Sequence, residues 1–443
     1  MTQFDLIIIG AGPGGYETAL EAAAAGKHVA LIEERAAGGT CLHEGCIPTK
    51  CLAHSAEVLE SVKTAAAFGI GCGEATFSLP TAVERKDEVV QRLTAGIDAL
   101  LKSAGVERIA GHAIMTADHT VSVGDDSLTA PHIIIATGSE ARRLPIPGAD
   151  LPQVVTSTEM LNLQTVPERL CIIGGGVIGM EFAGIFATLG STVTVIEYCK
   201  EILPPFDKDM AKRLRMILKK KGIDFRLESA VERIEANADS GTDIHFQTKG
   251  KAATVQADLV LMAVGRAPRV AGLGLEQTAI AHSPRGIVTD DNMQTTVAGV
   301  YAIGDVNNRC PLAHAATFQG RRALHHILGH TDGIDFTLVP SVVYTQPNLA
   351  QVGLREEDFA DGKPTAVKAF YRANGRALTM GAEEGMVKLL FDADDHLRGA
   401  HILGEGAAEM IHEAAVLIAE GATRSRLHDI IHAHPTLSEM YLA

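Results

Sequence analysis

Two cysteines five positions apart, Cys41 and Cys46 in the stretch GGTCLHEGCIPTK, carry the plainest chemistry in this chain. Close thiols can be a coincidence, can hold a metal, or can open and close a disulfide. In a regular helix, residues at i and i+5 lie too far apart for an S–S bond, which needs Cα atoms within about 7 Å. Pro48 offers a way round this, because proline is tolerated in a first helical turn. A helix beginning near Cys46 leaves Cys41 in a preceding irregular segment, with Gly45 free to turn. Cys46 then lies at a helix N-terminus, where the dipole favours a thiolate. Lys50, four residues on, shares that helix face and adds positive charge. The metal reading is poorer, since only His43 is a further local ligand and no second pair has ligand spacing. The seven cysteines are odd in number and scattered, so no disulfide framework is expected and a disulfide here would be catalytic.

The last residues read HDIIHAHPTLSEMYLA. Pro435 keeps His434 out of helical geometry and reads as the first turn of a short helix carrying Glu439. A carboxylate bonded to one imidazole nitrogen makes the other a better base, as deprotonating a thiol requires. Such pairs also serve structure alone, and His432 reads as packing or as a supporting hydrogen bond.

The elements that must position these groups come from a repeat. The run FDLIIIGAGPGGYETAL is a strand feeding Gly10-x-Gly12-x-x-Gly15 and a helix, and a second strand, HVALIE, ends at Glu33. LCIIGGGVIGMEFAGIFATLG repeats the pattern with Gly174, Gly176 and Gly179, followed by STVTVIE ending at Glu197. The acid follows the first glycine by 23 residues in both copies (33 − 10 and 197 − 174). The first glycine permits the turn, the second lets a pyrophosphate approach the backbone, and the third lets helix pack on strand. The helix N-terminus offers free N–H groups to phosphate, and the acid can accept bonds from ribose hydroxyls. Two copies with the whole frame predict two bound dinucleotides. Glu197 would repel a 2′-phosphate, and the residues that follow, Tyr198-Cys-Lys200, offer one lysine but no arginine, so NAD is favoured over NADP at the second.

HIIIATGS (132–139) and LVLMAVGR (259–266) read as buried strands ending at the glycine turns of Gly138 and Gly265, where the chain leaves each nucleotide unit. GVYAIGDV closes on Asp305, at the carboxyl end of a parallel strand where ligands sit, although a helix N-cap would also explain an aspartate there. Beyond residue 335 the texture becomes that of an antiparallel sheet with helices. The expected fold is therefore α/β: two Rossmann-like dinucleotide domains and a C-terminal α+β domain. The expected segments are 1–142, 143–267, 268–334 and 335–443. A formal net charge of −15 argues against nucleic acid or an anionic membrane as partner. No apolar run approaches the ~20 residues of a spanning helix. The opening Met1-Thr-Gln-Phe-Asp lacks a basic n-region, so a cytoplasmic location is expected.

With GGTCLHEGCIPTK, both glycine fingerprints, ATG, YAIGD and HAHPTLSE in this order, the chain resembles the pyridine nucleotide–disulfide oxidoreductases over nearly its whole length. The resemblance implies FAD on Gly10, Gly12, Gly15 and Glu33, joined by Lys50, Gly138, Asp305 and His314. It implies NAD on Gly174, Gly176, Gly179, Glu197 and Gly265, and no metal. Cys41 and Cys46 would form the redox disulfide, and Glu181 would pair with Lys50 beside the flavin. Residues 335–443 would be the interface of a homodimer, with His434 and Glu439 serving the second copy's cysteines. The closest likeness is to members that oxidise a protein-bound dihydrolipoyl group with NAD. Their partners are the lipoyl domain of an E2-type or H-protein-type carrier and, for an acidic chain, a basic subunit-binding domain of E2. Glutathione-type reductases share the cysteines but generally carry arginines near the position of Glu197. Mercuric reductases need a C-terminal cysteine pair, and here the last cysteine is Cys310. A flavoprotein kept only for binding would not need all of Cys41, Cys46, Lys50, Glu181, His434 and Glu439. Two departures stand out. His43-Glu44 replaces the commoner Asn-Val, and the sequence stops at Ala443, shortly after Glu439, which leaves the packing of the last helix to be checked.

Overall fold

The computed structural model describes residues 2–238, 241–359 and 362–442. The chain divides into two compact units: residues 1–51, 81–142 and 265–334 in one, and residues 52–80, 143–264 and 335–443 in the other.

The first unit is built on a five-stranded parallel sheet, ordered Val300–Ala302, His132–Ile135, Leu6–Ile9, Val29–Glu33 and Glu107–Ala110. Leu6–Ile9 is central and buried throughout, so it reads as one apolar run without alternation. Helix Pro13–Ala24 follows it, with proline at its start and small side chains that allow close approach. Helix Ala313–Ile327 packs alongside: a Cβ on Gly14 would stand 3.0 Å from the Ala316 carbonyl oxygen, and one on Gly320 would overlap Thr18 Oγ1. A four-stranded sheet of Thr2–Gln3, Asp126–Thr129, Thr120–Val123 and Ala113–Ala117 shares the core, with Met115, Val121 and Leu128 joining Ile7 and Ile133.

The second unit repeats the plan. Its parallel sheet runs Val154–Val155, Leu259–Met262, Arg169–Ile173, Thr192–Ile196 and Asp224–Arg226. In both sheets the strand that enters the glycine turn is central, flanked on one side by the acid-bearing strand and on the other by the strand leading to ATG or AVG. The same unit contains an antiparallel sheet ordered Ser341–Val343, Asn348–Gly353, Leu397–Gly404, Met386–Phe391 and Thr365–Phe370. Helix Ala407–Ala419 lays Ile411 and Ala414 on one face of it, over Ile402 and Leu389. The final residues are held, not loose: Met440 and Tyr441 are buried, and the Tyr441 hydroxyl donates to the Met410 carbonyl. Among the described residues, no helix is long and apolar enough to cross a membrane.

The two glycine turns show the same geometry. Gly10 and Gly174 have φ of +103° and +111°, and a Cβ on either would stand 2.4 Å from a carbonyl oxygen, that of Ala136 or Ala263. A Cβ on Gly15 would meet Gly10 O at 1.9 Å, and one on Gly179 would meet Gly174 O at 2.1 Å. Protein packing therefore requires the first and third glycines. Gly176 faces open space, and Gly12 has only Gly39 Cα, at 4.0 Å, in reach of its Cβ position. The middle glycine keeps room for a group that is not protein, which fits the backbone approach of a pyrophosphate. With FAD expected at the first turn and NAD at the second, Gly15→Ala should strip flavin from the purified protein, whereas Gly179→Ala should leave flavin bound and raise the KM for NAD by at least about tenfold; absorbance at the flavin maximum and steady-state kinetics read the two effects separately.

Candidate active site

The thiol pair stands on two consecutive helices. Helix Gly39–His43 carries Cys41, Glu44 ends it, and helix Cys46–Thr64 starts on the second cysteine with Pro48 in its first turn. The expectation of a helix start near Cys46 holds. That of an irregular segment for Cys41 does not: the residue lies within a helical turn. Nor is Gly45 there for an unusual φ. It is needed for space, since its Cβ position lies 3.1 Å from Thr40 O. The break between helices brings the sulfurs together, and the Cys41 thiol hydrogen-bonds with Cys46. That bond and burial push Cys41 far above the ordinary thiol value, while the Lys50 ammonium opposes the shift. Both cysteines are half-buried.

What fixes this pair is the glycine turn. Gly38 and Gly39 have φ of +113° and +58°, the Gly38 N–H donates to Ala11 O at 2.8 Å, and a Cβ on Gly39 would stand 2.6 Å from Gly12 Cα. Backbone thus lies on backbone, and the cysteine helices begin at the first fingerprint. Tyr16, which sequence reasoning passed over, sits in helix Pro13–Ala24 close enough to Cys41 to feel its charge. Burial first, then Glu17 and Cys41, push its hydroxyl up to about 12. His43 Nε2 bonds the Ala37 carbonyl at 2.9 Å, and Glu44 pairs with Arg35 at 2.5 Å, so the two departing residues brace this loop.

The acids of the repeat do more than was expected of them. Glu33 accepts from the N–H groups of Ala11 (2.8 Å) and Arg35 (3.0 Å). Glu197, buried, accepts from Gly175 N–H and from Cys199 N–H (2.6 Å). Each carboxylate thereby ties its own strand end to the residue after the first glycine. A carboxylate has about four lone-pair sites, so capacity for ribose hydroxyls remains.

Asp305 is not an N-cap; Ile303 occupies that position of the short helix Gly304–Asn307. Its carboxylate accepts from Ser139 Oγ at 2.5 Å. Arg266 donates to Ser139 Oγ and Ser139 O, both at 2.7 Å, and stands 4.0 Å from Asp305. Strands Ser139–Ala141 and Arg266–Pro268 pair antiparallel, so the segments just after Gly138 and Gly265 meet. Burial pulls the Arg266 guanidinium below its ordinary value, against the pull of Asp305 and Glu44. Ser139 and Arg266 are functional candidates that sequence reasoning missed; they lie 127 positions apart, and only their place at the ends of matching strands hinted at them. Gly138 and Gly265 have φ of +70° and +104° with open space around them. His314 lies in the first turn of helix Ala313–Ile327.

In the second unit, Glu181 is buried in helix Val177–Leu189 and accepts from Tyr344 N–H at 3.0 Å. His434 Nδ1 bonds Glu439 Oε1 at 2.9 Å, and Thr436 N–H donates to Glu439 Oε2 at 2.8 Å. The His434 side chain is 79% exposed, so its second nitrogen is accessible. Glu439 lies on the 3₁₀ turn Ser438–Leu442, which Pro435 precedes and does not open; the His434–Pro435 bond is cis. Thr436 first, and then His434, hold the Glu439 carboxyl below its usual 4.5. The His432 side chain is 6% exposed, with Glu413 Oε1 at 2.7 Å and Ile430 O at 2.9 Å on its two nitrogens, a supporting position. Among the described residues, no group of three or more His, Cys, Asp or Glu could hold a metal ion.

Comparison with known proteins places the chain in a family. Residues 4–320 match the pyridine nucleotide-disulphide oxidoreductase family and residues 339–442 its dimerisation domain. Dihydrolipoyl dehydrogenase of Chlamydia muridarum is 39% identical over 447 residues, 99% of this chain and 95% of that protein. The Staphylococcus aureus dihydrolipoyl dehydrogenase is 37% identical over 448 residues, with 99% and 95% covered. Among solved structures, the HOCl-induced flavoprotein disulfide reductase RclA of Escherichia coli superposes with a TM-score of 0.88 at 32% identity, covering 99% of this chain and 98% of that one. With a thiol pair seated on one of two glycine fingerprints and a match running nearly end to end, the chain belongs to the pyridine nucleotide-disulphide oxidoreductase family.

Proposed function

We propose that this protein oxidises a protein-bound dihydrolipoyl group to its cyclic disulfide and reduces NAD, working through Cys41, Cys46 and FAD. The observation that carries the reading is the hydrogen-bonded thiol pair anchored to the first glycine turn through Gly38 and Gly39. The full-length likeness to dihydrolipoyl dehydrogenases selects the substrate class. Residues 1–142 and 268–334 hold FAD on Gly10, Gly12, Gly15, Glu33, Lys50, Gly138, Asp305 and His314. Residues 143–267 hold NAD on Gly174, Gly176, Gly179, Glu197 and Gly265. Residues 335–443 form the homodimer interface, and His434 with Glu439 serves the second copy's cysteine pair.

The chain's own groups move protons and exchange sulfur bonds. Glu439 holds Nδ1 of His434, leaving Nε2 to take a proton from a substrate thiol. The thiolate attacks Cys41 Sγ, breaking the Cys41–Cys46 disulfide and releasing Cys46 as a thiolate, for which a helix N-terminus and Lys50 are a suitable setting. The second substrate thiol, once deprotonated, displaces Cys41 from the mixed disulfide. This closes the substrate ring and leaves both cysteines reduced. Bound FAD would supply the two-electron carrier between the reduced cysteines and NAD. The working partner is the lipoyl domain of an E2-type or H-protein-type carrier, and a basic subunit-binding domain complements a surface of net charge −15. The site of action is the cytoplasm.

Anaerobic dihydrolipoamide should reduce the wild-type flavin and raise a thiolate–flavin charge-transfer band. Cys41→Ser should keep the yellow chromophore yet lose turnover by at least about 10³-fold. Flavin reduced by NADPH, but by neither dihydrolipoamide nor NADH, would overturn the reading.

His434→Gln should cost about 10²- to 10³-fold in kcat and Glu439→Gln about tenfold, with the double variant no worse than His434→Gln, because the pair acts as one unit. Glu439 has a lowered pKa, so its bond to His434 is complete above 4.5 and is lost only as the pH falls through the lower folded value.

A further inference from the structure

A row of polar side chains crosses the antiparallel sheet where apolar ones would be expected. Gln351, His401, Lys388 and Lys368 stand in register on four neighbouring strands. His401 is fully buried and Lys388 is 1% exposed. Lysines are almost never buried so deeply unless paired.

All but one of these side chains reach for the same short stretch of chain, Pro205 to Asp209, at the start of helix Lys208–Lys220. Gln351 accepts from Asp207 N–H at 3.2 Å and donates to Pro205 O at 3.0 Å. Lys388 Nζ donates to Asp207 Oδ2 at 2.8 Å and lies 3.2 Å from Asp209 Oδ2 and 2.8 Å from Glu356 Oε1. Lys368 donates to Asp209 Oδ2 at 2.9 Å. His401 instead holds Leu354 O through Nε2 at 3.1 Å; its Nδ1 is buried without a partner, and burial lowers its pKa, so it adds no second charge beside Lys388. Asp207, itself buried, also caps the helix by accepting from the N–H groups of Asp209 and Met210.

The same stretch is tied at its other end to the second glycine turn. Leu203 N–H donates to Gly175 O at 2.8 Å, and Ile202 Cγ2 lies 3.2 Å from the Cβ position of Gly175. Glu197, which begins the stretch, holds Gly175 N–H. A single loop, residues 197–207, thus spans from the turn to the polar row.

We propose that Gln351, Lys388 and Lys368 are positioning residues for the pyridine nucleotide: by clamping residues 205–209 they set loop 197–207, and with it Glu197 and the glycine turn. Affinity for NAD then depends on a sheet that carries no nucleotide fingerprint. The inference rests on the NAD assignment of Gly174 to Glu197 made above. Removing Lys388 leaves Asp207 and Glu356 facing each other without a counter-ion, and Asp207 must leave its place.

The test uses the FAD-loaded full-length enzyme. Lys388→Met should raise the KM for NAD and the Kd of NADH about tenfold, and Gln351→Met a few-fold, within the usual range of coupling between sites. In both, kcat, the KM for dihydrolipoamide, flavin content and dimer size should stay within about twofold of wild type. Wild-type NAD affinity in a Lys388→Met enzyme that keeps flavin and dimer overturns the proposal. If that variant does not fold, Gln351→Met decides: a rise confined to NAD supports the clamp, while no rise, or equal rises for both substrates, overturns it. A wild-type enzyme that binds no NADH defeats the NAD assignment itself, a result distinct from any variant outcome.

Discussion

Backbone lying on backbone at Gly12 and Gly39 is the contact on which the chemistry depends. A side chain at Gly39 would run into the backbone of the first glycine turn, its Cβ 2.6 Å from Gly12 Cα. The consequence is that a thiol pair and a dinucleotide turn occupy one place, held by main-chain atoms that cannot rotate away. Close packing of this sort transmits position with little slack. The redox pair needs that precision, because exchange demands a sulfur at bonding distance from its attacker.

Both nucleotide turns use the acid in the same manner. Glu33 reaches Ala11 and Glu197 reaches Gly175, each the residue after the first glycine, and each also caps the residue two beyond itself. Each carboxylate is therefore held in place by main-chain N–H groups of its own turn. Preorganisation of this kind removes ordering cost from binding. In the second copy the acid sits at one end of a loop whose other end is clamped by a sheet of different architecture, which explains why the two segments form one compact unit.

Charge is placed with similar care. Cys41 is held protonated by its neighbour and by burial, with Lys50 acting against both. The His434–Glu439 pair places a carboxylate on one ring nitrogen and leaves the ring exposed. Lys388 shows the opposite arrangement: a buried cation surrounded by carboxylates, where charge serves position and not reaction.

Much of the candidate site could be read without coordinates, because its determinants are local. A glycine turn, the acid 23 residues on, a proline in a first helical turn and a His–Glu pair five residues apart all act within one strand–helix–strand or one turn. Steric exclusion of Cβ and the helix dipole operate over that range, so composition and spacing suffice. Placing Cys41 in a loose segment failed because its helical turn comes from Gly38 and Gly39 docking on a distant loop, and Pro435 opens no helix because Glu439 instead bonds back to Thr436 and His434. The Ser139–Arg266–Asp305 contact, Glu181 on Tyr344 N–H, and the row of Gln351, His401, Lys388 and Lys368 belong to tertiary structure alone. Their partners are separated by tens to hundreds of residues, and a hydrogen bond has no sequence periodicity. Only the folded chain decides which buried polar atom answers which.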